Sequence, residues 1–464
     1  MKTKFPLTLL FFLFHGFSFT QTIAGGAAHT LAICNDSTAR AWGYNGWGQL
    51  GDGTTTYSNV PIPVNSISQV VAIAGGYYHS IALKNDGTVW FWGNGIDTAV
   101  QVSSLTNIIA IAGGGSAGPG GHSLALKNDG TVWAWGSNNN GELGNGTNTI
   151  SNVPVQVSFL TGVIAIAAGG GSTGAGHSLA LKNDGTVWAW GFNGVGELGN
   201  GTNTDSNVPI QLSSLTGMIA IGCGCLHSIA VKNDGTVWTW GWNGFGQLGN
   251  GTNTDSNVPV LVTGLSGVSA IEGGEAHSLA LKNDSTVWAW GYNGSGQLGD
   301  GTNLSSNVPV PVSSLTGIAI ISAGQTHSLA VKNDGTVWAW GNNTAGQLGN
   351  ATTINSNVPV QPIGLCPMLL TATNKIIEPL SISIYPSPST GIFTVAMSGV
   401  EGQPTENKFN VEIMNLLGGE MRRSIIPSGA RNLTIVLYDA PSGIYFLQLK
   451  TEQGIATKKI IIQK

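Results

Sequence analysis

Residues 177–209 read HSLALKNDGTVWAWGFNGVGELGNGTNTDSNVP, and near-copies of this stretch make up most of the chain. One histidine marks each copy, at successive spacings of 50, 43, 55, 50, 50 and 50 residues. These histidines are His29, His79, His122, His177, His227, His277 and His327. A sevenfold repeat of about fifty residues is typical of a β-propeller in which each copy forms one blade.

Each copy predicts four short strands, which we name A to D in chain order. In the fourth copy these strands are expected at residues 164–168, 178–182, 186–190 and 208–212. The Asn-Asp-Gly triplet between B and C predicts a tight hairpin, because these residues tolerate a positive φ. The proline in strand D suits an edge position.

Two tryptophans of strand C indicate how neighbouring blades pack. Trp188 and Trp190 are two residues apart and therefore project from the same face of the strand. A neighbouring blade must cover that face, since two exposed indoles would form a large apolar patch. Because no strand D precedes the first copy, we expect the last one, residues 358–363, to complete the first sheet and close the ring.

Composition and charge exclude several classes of protein. Of 464 residues only 9% are charged and 69 are glycine, which argues against a charge-rich disordered chain and a helical bundle. Residues 21–365 hold seven Lys or Arg against sixteen Asp or Glu. An acidic repeat region with isolated lysines is unsuited to nucleic acid, so no nucleic-acid partner is expected.

The N-terminus predicts export. Lys2 and Lys4 precede the apolar run 9–14, and small or polar residues follow, which is the pattern of a signal peptide over residues 1–20. The apolar run is short for a membrane span. We expect a mature protein without a membrane span, located outside the cytoplasm.

Four cysteines are few for an exported chain of this length. Cys34 and Cys366 lie in the first copy and just after the last one, so a bond between them is conceivable in a closed ring. The sequence does not supply their Cα separation, and we expect free thiols. Cys223 and Cys225 lack a second ligand pair at zinc spacing, so no metal site is expected.

The chain divides into a propeller over residues 21–365, a linker over 366–381 and a second unit over 382–464. The second unit has short segments of alternating polarity separated by Gly and Pro turns. This pattern predicts a small immunoglobulin-like β-sandwich, so the fold class is all-β throughout.

The repeat resembles the regulator of chromosome condensation repeat, through the motifs A-x-G-x-x-H-S-L-A-L, N-D-G-T-V-W-A-W-G and G-x-L-G-x-G-T. The resemblance covers about residues 22–365 and implies a seven-bladed propeller. That family includes an exchange factor for the Ran GTPase, ubiquitin-ligase modules and a secreted bacterial inhibitor of β-lactamases. The fold therefore names no single activity.

The C-terminal unit resembles the type A sorting domain of type IX secretion. The matching segments are residues 385–395, 411–418 and 441–449, with the basic pair Lys458 and Lys459 near the end. Ser387 stands where that family usually has Asn. The resemblance implies translocation across the outer membrane of a Gram-negative bacterium via the periplasm, with the secretion machinery as a partner.

Repetition also accounts for most chemically active residues. The seven histidines are expected to hydrogen bond the backbone of their own blades, and the recurring aspartates are expected in turns. No nucleophile motif, metal-spaced His pair or phosphate-binding glycine loop is present. We expect no cofactor, no bound metal and no catalytic residues.

Variation among the copies points to one face of the ring. The A-to-B and C-to-D loops share this face and differ in length and chemistry, whereas the loops of the opposite face hardly change. Aromatic residues there could anchor a ligand. The candidate binding residues are Tyr44, Trp47, Tyr77, Tyr78, Phe192, Trp242, Phe245, Glu275, Tyr292 and Gln325.

These observations favour a secreted or cell-surface binding propeller without catalysis, whose ligand is a protein or a glycan. One alternative is an enzyme acting on polysaccharide, with Glu272 and Glu275 as its carboxylates. Another is nucleotide exchange on a small GTPase, which the repeat resemblance implies and the export signals oppose.

Overall fold

A computed structural model describes residues 22–115, 121–171 and 174–368, together with seven strands and Pro441 in the C-terminal part of the chain. Two compact units are present, residues 1–372 and 373–464. The predicted signal peptide lies outside the described residues.

The first unit contains seven four-stranded antiparallel sheets, each in the order A-B-C-D from the centre outward. The A strands are Ile23–Gly25, Val70–Gly75, Ile108–Gly113, Val163–Ala168, Met218–Cys223, Val268–Gly273 and Ile318–Ala323. The B strands are His29–Ile33, His79–Lys84, His122–Lys127, His177–Lys182, His227–Lys232, His277–Lys282 and His327–Lys332. The C strands are Ala39–Gly43, Val89–Gly93, Val132–Gly136, Val187–Gly191, Val237–Gly241, Val287–Gly291 and Val337–Gly341. The D strands are Ser58–Pro63, Ile96–Gln101, Ser151–Gln156, Ser206–Gln211, Ser256–Leu261, Ser306–Pro311 and Ser356–Val360. The predicted seven-bladed propeller is confirmed.

The core consists of layers between neighbouring blades. In one layer Leu179 and Val187 of blade 4 pack with Met218 and Trp240 of blade 5, and all four are buried. Burying an apolar side chain of this size stabilises the fold by about 2 to 3 kcal/mol. Trp188 packs in the layer toward blade 3, on the same side as the other indole of its strand, as its two-residue spacing predicts. Stability is therefore distributed over the interfaces of the ring.

The ring closes in a different way from the sequence prediction. The first blade has its own strand A, Ile23–Gly25, so the inner position of its sheet is already filled. The last strand D, Ser356–Val360, pairs with strand C of its own blade, and the prediction that it completes the first sheet was wrong. Instead, the chain after blade 7 returns to blade 1, where Cys34 and Met368 form an antiparallel bridge.

A disulfide joins Cys34 to Cys366, with a Cα separation of 5.6 Å. The expectation of free thiols at these positions was wrong, because ring closure brings together two residues that are 332 positions apart in the chain. The bond fastens the segment after blade 7 to blade 1. Cys223 and Cys225 are free thiols on blade 5.

The seven histidines form a closed ring of hydrogen bonds between blades. The Nε2 atom of His177 lies 2.9 Å from Ser228 Oγ in the next blade, and His327 completes the circle on Thr30 at 2.9 Å. The Ser228 hydroxyl donates to the backbone carbonyl of Glu197, so the histidine Nε2 carries the proton that it donates. The expected bond to the backbone of the same blade was wrong, because each imidazole reaches across the blade interface.

The second unit contains two antiparallel sheets. One has three strands, in the order Ser381–Tyr385, Ile392–Ser398 and Asn432–Val436. The other has four, in the order Glu420–Ile426, Phe409–Asn415, Gly443–Thr451 and Gly454–Ile462. This unit is all-β as predicted, and its immunoglobulin-like classification stays a prediction.

Candidate ligand-binding face

The loops between strands A and B and between strands C and D lie at one end of the blades, which we call the upper face. The B-to-C turns and the D-to-A connections lie at the other end, the lower face. On the upper face, blade 4 has fourteen residues between strands C and D, whereas blade 2 has only Asn94 and Gly95. The upper face is therefore the uneven end of the propeller.

Five aromatic rings from blades 1 and 2 meet on the upper face, and we call them the first aromatic cluster. Its members are Tyr44, Trp47, Tyr57, Tyr77 and Tyr78. Tyr78 joins the two blades, with its ring centroid 5.5 Å from that of Trp47 and 4.2 Å from that of Tyr77. Trp47 is 41% exposed and Tyr57 is 51% exposed. Such side chains offer a large contact area at low conformational cost.

Tyr57 was not among the predicted binding residues, although its ring centroid lies 4.6 Å from that of Tyr44. Its position in the repeat is aligned with Ile150, Asp205, Asp255, Ser305 and Asn355. Aromatic character at a position where the other copies have polar or aliphatic residues was the signal that could have found it.

A second aromatic cluster lies on the upper face of blades 5 and 6. Phe245 is 39% exposed, and its ring centroid lies 5.5 Å from that of Trp242 and 4.7 Å from that of Tyr292. Phe192, on the intervening blade 4, is half-buried and belongs to neither cluster. The structure thus divides the predicted aromatic residues, except Phe192, between two separate patches.

In four copies an aromatic residue follows the Trp-Gly pair, and the glycine two residues after it makes room for its ring. A Cβ added to Gly244 would lie 3.0 Å from Trp242 Cε2, and one added to Gly194 would lie 2.4 Å from Phe192 Cζ. Where the aromatic ring is absent, the glycine is absent too. Two residues after Ser137 the chain has Asn139, and two residues after Asn342 it has Thr344. The rings therefore lie flat against their own loops, which holds them in place before a ligand arrives.

Glu275 and Gln325 lie at the mouth of the central channel. Their backbones are joined, since Glu275 N donates to Gln325 O at 2.8 Å. The channel has a volume of about 170 Å³ and is lined mainly by glycines and alanines of the A strands and A-to-B loops. Tyr77 also lines it, so the mouth is continuous with the first aromatic cluster.

Glu272 faces the same channel from the end of its A strand. Burial raises the pKa of Glu272 to about 8 and also raises the pKa of Glu275. The channel is smaller than the roughly 300 to 1,000 Å³ of ordinary ligand pockets. It is too small to hold a polysaccharide chain between two carboxyls, so this arrangement does not favour the polysaccharide-enzyme alternative.

The ring histidines and Glu197 are buried and serve structure. Burial lowers the pKa of the ring histidines, to about 3 for His177 and about 4 for His122. Burial likewise raises the pKa of Glu197 to about 7, and its carboxylate accepts a hydrogen bond from Val195 N at 3.0 Å. Among the described residues, no group of three or more His, Cys, Asp or Glu side chains could hold a metal ion.

The insertions before His122 and His177 are described only in part, because residues 116–120 and 172–173 lie outside the described residues. What is described lies on the upper face, where Gly174 O accepts a hydrogen bond from Asn140 Nδ2 at 2.7 Å. Within the described parts of the chain, no helix is long and apolar enough to cross a membrane.

Three protein-family models match the chain. The RCC1-like domain matches residues 97–377, and the regulator of chromosome condensation (RCC1) repeat matches residues 41–83. The secretion system C-terminal sorting domain matches residues 383–463.

Curated relatives cover part of the chain. It is 32% identical over 218 residues to the mitochondrial RCC1 domain-containing protein RUG3 of Arabidopsis thaliana. This match covers 42% of this chain and 47% of the relative. It is 34% identical over 207 residues to the ultraviolet-B receptor UVR8 of the same plant, covering 44% and 37%. The chain thus spans less than half the length of these relatives.

Solved structures show the same fold. Human WBSCR16 superposes with a TM-score of 0.61 at 23% identity, covering 70% of this chain and 93% of that one. Yeast RCC1 (Prp20), solved with Kap60, superposes with a TM-score of 0.62 at 20% identity, covering 74% and 85%. The RCC1-like domain model covers more than half of the sequence. The chain therefore belongs to the RCC1-like domain family and carries a type IX secretion sorting domain, which directs it to the cell surface or the medium.

Proposed function

We propose that this exported propeller is a non-catalytic binding protein that recognises an extracellular protein or glycan with its upper face. The first aromatic cluster is the observation that carries the proposal. Five rings from two blades meet there, and two of them, Trp47 and Tyr57, are 41% and 51% exposed. Large exposed aromatic groups on a rigid support are characteristic of binding anchors.

The second aromatic cluster supports the same function. Trp242 and Phe245 stand on a loop whose register is held by Asn243, the side chain of which accepts a hydrogen bond from Leu248 N at 2.9 Å. Glu275 and Gln325 add polar groups at the channel mouth. Nucleotide exchange on a GTPase is not part of the proposal, because export removes the protein from the cytoplasm.

The proposal is tested by capture from the natural surroundings with the full mature chain, followed by alanine replacement. The test variant replaces Trp47, Tyr77, Tyr78 and Trp242. Alanine at buried aromatic anchors of an interface commonly costs more than about 2 kcal/mol each, so we expect affinity for the captured ligand to fall at least thirtyfold.

The matched control is Phe159→Ala. Phe159 is an aromatic residue of the lower face and is 96% exposed, so it is an exposed aromatic side chain outside the proposed binding face. We expect this variant to keep its affinity. Unchanged affinity in the upper-face variant, with a normal unfolding temperature, would exclude this face as the binding site.

A further inference from the structure

The positive charges of the propeller all lie toward its lower face. Residues 22–368 contain seven Lys or Arg, and each lies at the end of strand B or the start of strand C, beside the B-to-C turn. They are Arg40, Lys84, Lys127, Lys182, Lys232, Lys282 and Lys332.

Seven aspartates share the lower face with these cations, one in each B-to-C turn. They are Asp36, Asp86, Asp129, Asp184, Asp234, Asp284 and Asp334. Lys232 pairs with Asp234 at 3.6 Å, and Lys282 pairs with Asp284 at 3.4 Å. The lower face therefore carries as many cations as anions and compensates its own charge.

The upper face carries the other nine acidic residues of the propeller and no cation. They are Asp52, Asp97, Glu142, Glu197, Asp205, Asp255, Glu272, Glu275 and Asp300. Four of these carboxyls, at Glu142, Glu197, Glu272 and Glu275, have a pKa raised mainly by burial. The five aspartates stand nearer the solvent, and Asp97, Asp205 and Asp255 are exposed. The excess negative charge of the propeller is thus concentrated on one end.

Two of the three exposed aspartates, Asp97 and Asp255, flank the aromatic clusters. Gly95, two residues before Asp97, donates its N–H to the carbonyl of Trp47 at 2.9 Å, which sets Asp97 beside the first cluster. Asp255 accepts a hydrogen bond from Asn243 N at 2.8 Å, next to Trp242 of the second cluster. An aromatic face beside a carboxylate is suited to guanidinium and ammonium groups, which gain both a cation–π contact and an ion pair.

We propose that the ligand of the upper face is a basic protein that presents Arg and Lys side chains to the two aromatic clusters. This inference rests on the proposed function and names the class of its ligand. A neutral glycan can donate hydrogen bonds to these carboxylates but leaves their charge uncompensated, and an acidic glycan or nucleic acid is repelled by them. A basic protein surface supplies the cations that the upper face lacks.

The test compares two variants of the full mature chain that change its net charge equally. The upper-face variant carries Asp52→Asn, Asp205→Asn, Asp255→Asn and Asp300→Asn. The chain itself has Asn at these positions in other blades, because Asn350 and Asn355 of blade 7 accept the corresponding backbone hydrogen bonds. The variant is therefore compatible with the fold.

The lower-face control replaces four turn aspartates, at positions 86, 129, 184 and 334, by Asn. These aspartates accept hydrogen bonds from a threonine two residues on, and the Asn carbonyl oxygen can accept the same bonds. The probes are an oligoarginine peptide, an oligoglutamate peptide and a neutral β-glucan oligosaccharide. Affinity is measured by calorimetry at about 0.03 M and about 0.3 M salt, because exposed charges are screened at the higher value.

We expect the oligoarginine peptide to bind the natural chain and to bind at least about fourfold more weakly to the upper-face variant at low salt, since each of four exposed ion pairs contributes about 0.2 to 1 kcal/mol. The lower-face control should stay within about twofold, which is the scatter expected for uninvolved surface charges. The oligoglutamate peptide should not bind. The higher salt concentration should weaken oligoarginine binding to the natural chain.

Three results would overturn the inference: no oligoarginine binding, equal loss in both variants, or tighter binding of the β-glucan. The alanine variant at residues 47, 77, 78 and 242 separates this outcome from failure of the proposed function. If that variant loses a captured ligand while the Asp→Asn variant keeps it, the face is correct and the ligand class is wrong.

Discussion

Acid should unfold this propeller through its ring of histidines. All seven imidazoles are buried, and burial lowers their pKa from an ordinary value of 6.5 to about 3 or about 4. A lowered folded-state pKa means that the contribution to stability is complete above pH 6.5 and is lost as the pH falls toward the folded-state pKa. The perturbation is therefore a titration from neutral pH downward.

The magnitude follows from proton linkage. Below about pH 6 each unfolded histidine binds a proton that the folded one does not, which costs about 1.36 kcal/mol per pH unit, or about 9.5 kcal/mol for seven. Glu197 and Glu272 oppose this, because burial raises their pKa to about 7 and about 8 and they stabilise the fold as the pH falls. With Glu142 and Glu275, whose pKa values are also raised, the opposing sum is at most about 5 kcal/mol per pH unit. The contribution of the histidines is the larger one, and a net loss of stability of about 4 to 7 kcal/mol per pH unit remains.

The assay is the unfolding temperature by calorimetry between about pH 8 and about pH 4.5, a range above the ordinary pKa of Asp. We expect a steep fall below about pH 6, and complete unfolding within roughly two further pH units, since domains have about 5 to 15 kcal/mol of stability. Glu272→Gln removes one opposing group and should steepen the fall, whereas His227→Gln should make it shallower. An unfolding temperature that is constant or rises from pH 7 to pH 4.5 would refute this reasoning.

Three further predictions concern the closure, the interfaces and the loops. Replacing Cys34 and Cys366 by Ala opens a covalent loop of 332 residues and should lower the free energy of unfolding by up to about 5 kcal/mol, and reductant should have no further effect on this variant. Ser228→Ala leaves the histidine of the preceding blade without its acceptor and should cost about 1 to 3 kcal/mol by chemical denaturation. Gly244→Ala brings a methyl group against the indole of its own loop and should shift the tryptophan emission, whereas Asn139→Ala, at the matching position without a ring, should not.

Much of the fold could be predicted because each blade is a local unit. Alternating apolar residues, the Asn-Asp-Gly turn and the paired tryptophans of strand C all act within one copy or on its neighbour. Comparison of the seven copies then distinguished residues that most copies share, such as His177 and Asp184, from residues that vary, such as Trp242. Both faces of the ring could be assigned in this way, because strand order fixes which loops lie together.

The ring closure could not be predicted, because it joins residues from opposite ends of the repeat region. Cys366 comes close to Cys34 only in the closed ring. The three residues Ile23–Gly25 are recognised as the inner strand of blade 1 only from their pairing in the structure. The histidine partner was missed for a related reason. The hydroxyl that His177 contacts belongs to Ser228, 51 residues away, and the sequence of a single repeat does not show whether the histidine bonds its own blade or the next one.

The most direct test of the upper-face account is hydrogen–deuterium exchange of the full mature chain with and without its captured ligand. We expect the ligand to slow exchange in residues 44–57, 76–78 and 242–255, which carry both aromatic clusters and their flanking aspartates. The B-to-C turns around Asp86, Asp184 and Asp284 should exchange at the same rate in both samples. Protection confined to those turns, with the upper loops unchanged, would contradict the account.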